Sequence, residues 1–282
     1  MSKLTIIWQR SRKSVWEDDW IEYLFQNIPH TTIENLDHSL LLNNCIIVDA
    51  ICWAPYHNNY INQLKLKNFN FGLIHLTDET RADDISSYKD CKFVLRNYYR
   101  SNVPDHVLHF PLGWNTGFRD ITENKPYENR NNLWSFVGER WDSNRNSMNH
   151  FMSTLPRGKI YIAKQHGPRL SVPDMSKIYR DSIFVPCPKG ALSVDSFRVT
   201  EALEAGCIPI VEKSSYWRDL HGDMFPAVQI DSWEMAPKVV EKIYNDKDVL
   251  TSLGRQCQSW WEQTKLILKG KIEDLVTSKM QI

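Results

Sequence analysis

The sequence predicts an α/β protein made of two Rossmann-like domains facing each other across a cleft. Three observations predict it. Short apolar runs rich in β-branched residues recur along the 282 residues, polar stretches of helical period lie between several of them, and a polar segment near the middle divides the chain into halves of comparable size. Alternating strands and helices of this kind build parallel sheets joined by helical crossovers.

In the first half the expected strands are Leu4–Trp8, Cys45–Val48, Phe71–Leu76 and Phe93–Leu95, with Trp16–Gln26 as a helix. In the second they are Leu133–Val137, Lys159–Ile162, Ser182–Val185 and Ile208–Val211, with Val194–Ala205 as a helix. Gly206 directly after that helical run is the usual left-handed cap. The seam falls in Asp120–Asn132, thirteen residues almost without large apolar side chains and containing Pro126. The expected domains are therefore 1–125 and 126–255. The tail, 256–282, carries Trp260, Trp261, Leu266, Ile267 and Leu268 and suits a terminal helix crossing back to the first domain.

Composition narrows the function. Lys plus Arg (34) balance Asp plus Glu (34), so no global field draws the chain to nucleic acid or anionic lipid. No run approaches the ~20 apolar residues of a membrane span, and the first residues lack a signal-peptide core, so a soluble cytoplasmic protein is expected. Cys45, Cys52, Cys91, Cys187, Cys207 and Cys257 form no CxxC pair and read as buried reduced thiols. Eleven Trp and eleven Tyr either stack on pyranose faces or fill cores.

The chemistry concentrates in one segment. Parallel α/β sheets bind ligands beyond the carboxyl ends of their strands, where a loop leads into a helix N-terminus. The run from Asp181 to Val211 has this layout of strand, loop, helix, glycine stop and strand. Arg198 and Glu201, three apart, project from one helix face. Ser193, Asp195 and Ser196 stand at the helix start, where one would cap free N–H groups. Facing a diphosphate, Arg198 would neutralise it with a forked guanidinium, and Glu201 would accept hydrogen bonds from ribose hydroxyls. An ordinary surface pair of Arg198 with Glu201 or Asp195 has the same spacing. Lys164, after a strand, is either a further charge for the phosphates or a solvated loop lysine.

The run FVPCPKGALSVDSFRVTEALEAGCIPIV resembles the signature of exostosin-type glycosyltransferases. Pro188, Gly190, Arg198, Glu201, Ala202, Leu203, Gly206, Cys207, Ile208 and Pro209 match it in order. FVGERWDSNRNSM (Phe136–Met148) resembles the first strand of that family's donor domain with its glycine turn, which makes Arg140 and Arg145 further diphosphate candidates. The resemblance covers about residues 133–215. It implies the GT-B fold, donor binding by the C-terminal domain, acceptor binding by the N-terminal domain, and inverting, metal-independent transfer from a UDP-sugar without a cofactor. The Asp-x-Asp pair Asp246 and Asp248 falls in a charged stretch that reads as a helix end, unlike the strand-end pair of metal-dependent transferases.

Inversion requires a general base for the acceptor hydroxyl. Asp78 and Glu79 follow the strand Phe71–Leu76, and Asp49 follows Cys45–Val48. An HL-x-DE element followed by RNYY resembles exostosin-like xylosyltransferases, which places Asp78 first, Glu79 second and Asp49 third and suggests UDP-xylose. A helix-capping role for Asp78 is the plain alternative. Arg96, Tyr98, Tyr99, Trp114 and Asn115 suit either a glycan acceptor or an interdomain hinge. His75 and His109 read as core histidines. The expected partners are a nucleotide-sugar donor and a glycan acceptor. Two other functions fit: a non-catalytic nucleotide-sugar or carbohydrate-binding module, and a sugar-nucleotide epimerase. A dinucleotide oxidoreductase is disfavoured because no GxGxxG follows the first strand.

Overall fold

The β-branched runs become two wholly parallel sheets in the computed structural model, which describes residues 4–9, 16–35, 39–50, 56–119, 124–139, 142–163 and 169–280. The chain forms two compact units, residues Met1–Leu112 with Lys265–Ile282, and residues Gly113–Thr264.

Unit 1 contains β1 (Leu4–Gln9), α1 (Asp18–Phe25), β2 (His30–Glu34), β3 (Cys45–Asp49), α2 (Tyr56–Leu66), β4 (Phe71–His75), β5 (Val94–Arg96) and β6 (Val107–His109). Its strand order is β2-β1-β3-β4-β5-β6. The registers align Ile7, Ile47, Leu73 and Val94 in one row. Side chains of one register share a sheet face, so this row packs as a block with Tyr60, Ile61 and Leu64 of α2. β3 and β4 are buried throughout, as strands covered on both faces must be.

Unit 2 contains β7 (Asn132–Glu139), α3 (Ser143–Met152), β8 (Gly158–Ala163), α4 (Val172–Arg180), β9 (Ser182–Pro186), α5 (Phe197–Glu204), β10 (Ile208–Glu212), α6 (Ser215–His221), β11 (Val228–Ile230) and α7 (Ala236–Asn245). The order β11-β10-β9-β7-β8 reverses direction at β7, which has β8 on one side and β9 on the other. The last helix, α8 (Lys247–Lys279), supplies its first part to unit 2 and, from Lys265 onward, residues to unit 1. There Lys265 and Lys269 lie over the ring of Tyr23, Lys269 at 4.1 Å.

The passage into unit 2 lies at Leu112–Gly113, and the described part of the polar stretch, residues 124–131, is fastened within that unit. Arg130 is buried and donates to the carbonyls of Lys125, Ser182 and Ala205, while Tyr127 donates to that of Gly206. A guanidinium thus does the anchoring that the sequence offers no apolar residue to do. Asp246 accepts from the backbone N–H groups of Asp248 and Val249, so the Asp-x-Asp pair sits at the start of α8 and not at a strand end. Cys45, Cys91, Cys187, Cys207 and Cys257 are buried free thiols; Cys52 lies outside the described residues. Among the described residues no helix is long and apolar enough to cross a membrane.

Candidate donor site

In unit 2 the carboxyl ends of β7 and β9 meet where the strand order reverses, the position at which open parallel sheets bind their ligands. The helix following β9 is shorter than its sequence pattern. Val194–Ser196 lie ahead of it, and α5 begins at Phe197 with Ser196, in extended conformation, as its N-cap. Ser196 makes no side-chain capping bond. Its neighbours brace the loop instead: Asp195 accepts from the Ser196 N–H at 2.8 Å and from the Tyr216 hydroxyl at 2.9 Å, and Ser193 accepts from the Asp195 N–H.

Arg198 reaches from the first turn of α5 to the end of β7. Its Nε donates to the Val137 carbonyl at 3.1 Å, and the guanidinium lies 5.1 Å from the centre of the Phe136 ring. Gly138 makes room for it, since a Cβ there would stand 2.6 Å from Nη2 of Arg198. Arg198 is half-buried.

One turn on, Glu201 is 1% exposed. Its Oε1 accepts from the side-chain amide of Asn115 at 2.6 Å and from the Asn115 backbone N–H at 3.3 Å. Burial pushes its carboxyl up to about 7, against the pull of those two bonds and of Arg198. Gly206, with φ +67, ends the helix in the left-handed region.

Arg145, the other described diphosphate candidate, sits on the helix after β7. It is buried on α3, donating to the carbonyls of Glu139 at 2.9 Å and Lys189 at 3.3 Å, so it ties the end of β7 to the loop after β9. Asp142 caps α3 through the Arg145 N–H. Lys189 approaches Asp142 at 3.5 Å, and Arg169 pairs with Glu139 at 2.6 Å. Arg140 and Lys164 lie outside the described residues. A groove of about 910 Å³ lined by Phe225, Arg255, Trp260 and Gln263 shares no residue with this cluster, which is a candidate by its chemistry and its place in the topology.

Unit 1 carries a second polar constellation. Gln9, Asp49, His75, Arg96 and His109 are paired across the carboxyl ends of five strands. Arg96 is fully buried and donates to Asp78 at 2.5 Å, to the Tyr88 hydroxyl at 2.9 Å and to Nδ1 of His75 at 3.2 Å. With Nδ1 accepting, the proton of a neutral His75 resides on Nε2, which donates to Asp83 at 3.1 Å. Asp78, 3% exposed, also accepts from the N–H groups of Ala82 and Asp83 and from the Thr80 hydroxyl. Its carboxylate is the anchor of the turn after β4 and the counter-charge of Arg96. Glu79 on the same turn is half-buried, and Asp49 is 2% exposed. Burial lowers the His109 ring to about 4.

The expected acceptor residues are divided between the two units. Arg96 is engaged in the buried network, and Tyr98 is buried with φ +52. Tyr99 packs on His109 with ring centres 4.7 Å apart. Trp114 and Asn115 belong to unit 2. Trp114 is fully buried, edge-on to Trp261 and under the guanidinium of Arg119, and so offers no ring face to a sugar. Asn115 holds Glu201. The sequence shows two glycines bracketing Trp114 and Asn115 but not which unit their loop joins.

The architecture is shared with solved glycosyltransferase structures. HepE of Anabaena in complex with UDP matches with a TM-score of 0.62 at 9% identity, over 98% of this chain and 100% of that one. An alpha-glucosyltransferase in complex with UDP and a 13-mer DNA matches with 0.62 at 11% identity, over 98% and 99%. Sucrose-phosphate synthase of Thermosynechococcus elongatus matches with 0.60 at 11% identity, over 98% and 100%. At these identities the likeness is one of fold: the chain is an α/β protein with the two Rossmann-like units of the GT-B class. No protein-family model and no curated protein sequence matches it.

Proposed function

We propose that the chain is a glycosyltransferase that takes its sugar from a UDP-sugar, with unit 2 as the donor half. The observation that carries this reading is the pair Arg198 and Glu201, set one turn apart on α5 at the point where the strand order of unit 2 reverses. Arg198 would meet the diphosphate, and its charge would stabilise the leaving UDP as the glycosidic bond to phosphate breaks. The start of α5 adds the positive end of its helix dipole. Glu201 would accept from the ribose hydroxyls. The complexes of HepE and of the alpha-glucosyltransferase with UDP support uridine diphosphate as the nucleotide.

Inversion, independence of metal and xylose as the sugar enter the proposal from the exostosin-type resemblance of residues 133–215 and of the segment around Asp78. Inversion assigns the acceptor proton to a general base. Asp78 and Asp49 are buried, Asp78 against Arg96, whereas Glu79 is half-buried, so Glu79 is the proposed base. The acceptor is proposed to be a glycan hydroxyl.

A panel of nucleotide-sugars headed by UDP-xylose, followed for slow hydrolysis and thermal stabilisation, tests the donor without knowledge of the acceptor. Stabilisation by UDP-sugars and by UDP is expected, undiminished in excess chelator. Stabilisation by no nucleotide-sugar would refute the reading, and a response restored only by a divalent cation would refute its metal-independent form. With an acceptor in hand, Glu79→Gln should lose transfer while keeping UDP affinity.

A further inference from the structure

On the reading of unit 2 as a UDP-sugar site, we propose that Asn115 is a positioning residue for nucleotide recognition, clamping Oε1 of Glu201 so that Oε2 is presented to the ribose diol. Both Asn115 donors fall on the same oxygen, at 2.6 Å and 3.3 Å, and Oε2 accepts from none of the described residues. A carboxylate held by one oxygen has fixed orientation and keeps the lone pairs of the other for a ligand.

The loop that carries Asn115 is itself braced. Gly113 and Gly117 take positive φ values of 74° and 83° on either side of it, a conformation open to glycine at no steric cost. The Gly113 carbonyl accepts from the hydroxyl of Thr200, the residue before Glu201. The Asn115 carbonyl accepts from the Phe118 N–H at 2.9 Å, which closes the turn 115–118 that contains Gly117. Trp114, next to Asn115, is fully buried and packs edge-on to Trp261, which anchors the loop.

The charge environment makes the clamp matter. Among the described residues, Arg198 from the same helix, Tyr179 from α4 and Cys187 from the loop after β9 interact electrostatically with Glu201 besides Asn115. Burial holds both the Tyr179 phenol and the Cys187 thiol well above their ordinary ranges, so both are neutral near pH 7 and Arg198 is the one charge opposite Glu201 among these groups. Burial raises the Glu201 carboxyl to about 7 even with both Asn115 bonds in place. Loss of the side-chain bond removes a stabiliser of the ionised form, so the carboxylate should form only at higher pH.

Calorimetric titration of UDP and of 2′,3′-dideoxy-UDP into the wild type, Asn115→Ala and Asn115→Asp, from about pH 5.5 to about pH 8.5, separates the possibilities. Wild type should prefer UDP over the dideoxy nucleotide, with a preference that grows as pH rises through about 7. Asn115→Ala should lose about tenfold in UDP affinity at neutral pH, bind the dideoxy nucleotide as wild type does, and show its pH midpoint moved upward. Asn115→Asp, which sets a second carboxylate against Glu201, should lose more. Equal weakening of both nucleotides would mean that Asn115 only holds the loop, and unchanged UDP affinity with an unchanged midpoint would mean that it does nothing for Glu201; either overturns the inference and leaves the donor site standing. Failure of the wild type to bind UDP at all would overturn both.

Discussion

Glu201 illustrates how a residue proposed to bind ligand costs its own protein stability. Its carboxyl titrates at about 7 in the folded chain because burial disfavours the charge, against the ordinary value of 4.5. Between those values the native state holds a proton that the unfolded state has released. The stability this confers is complete below about pH 4.5 and is lost as pH rises through about 7, a change of roughly 3 kcal/mol. Glu201→Gln, which copies the protonated form, should therefore stabilise the free protein at about pH 8 and change little at about pH 5 in denaturant unfolding. An equal shift at both pH values would contradict the assignment. Asp78 supports the fold in another way, as the ion-pair partner of the buried Arg96. Asp78→Asn should destabilise unit 1 by roughly 3 kcal/mol, because a buried guanidinium is left without its ion pair. Unaltered unfolding together with lost transfer would return Asp78 to the role of base.

At the scale of elements, β3, β4, β7, β9 and β10 are readable in the sequence as runs of buried apolar residues, because strands covered on both faces lack polar alternation. β2 is not, since its sequence HTTIE has no buried residue and pairs only along one edge of β1. β6 and β11 span three residues each, too short for any period to register. Helix α5 is legible in its ending and not in its beginning. Gly206 announces the stop, whereas Val194–Ser196 have helical spacing but are held out of the helix by the bonds of Asp195 to the Ser196 N–H and Tyr216. Gly206→Ala tests the cap. A Cβ there would stand 2.7 Å from the Asn124 amide, in a backbone region that L residues adopt at a cost of about 1 kcal/mol, so a loss of at least that size is expected in unfolding. No change would mean that α5 ends without help from the glycine.

At the scale of the molecule, two parallel sheets follow from the alternation of runs, and the proposed reaction class from one segment of unit 2. The division between the units is harder to read. A stretch poor in apolar residues reads as a linker, yet Arg130 and Tyr127 fasten it to unit 2 through polar contacts that hydropathy does not register. The same limitation conceals the partner of Asn115, which lies 86 positions away. Arg198 and Glu201 are legible because both sit on one short helix whose spacing survives in the sequence. Asp78 stands out as a charged residue just after a strand and Arg145 as one beyond a glycine turn, but their buried partners, Arg96 and a pair of carbonyls, become visible only in the fold.

The reading of unit 2 as a donor site rests on Arg198 and Glu201 holding a uridine diphosphate. Calorimetric titration of UDP into the wild type and Arg198→Ala, with uridine as the control ligand, probes that contact without an acceptor. Arg198→Ala should weaken UDP by about tenfold to a hundredfold, the worth of a charge-assisted hydrogen bond, and leave uridine affinity unchanged. UDP binding to Arg198→Ala with wild-type affinity would mean that the diphosphate does not sit at the start of α5, and the donor site as described here would be wrong.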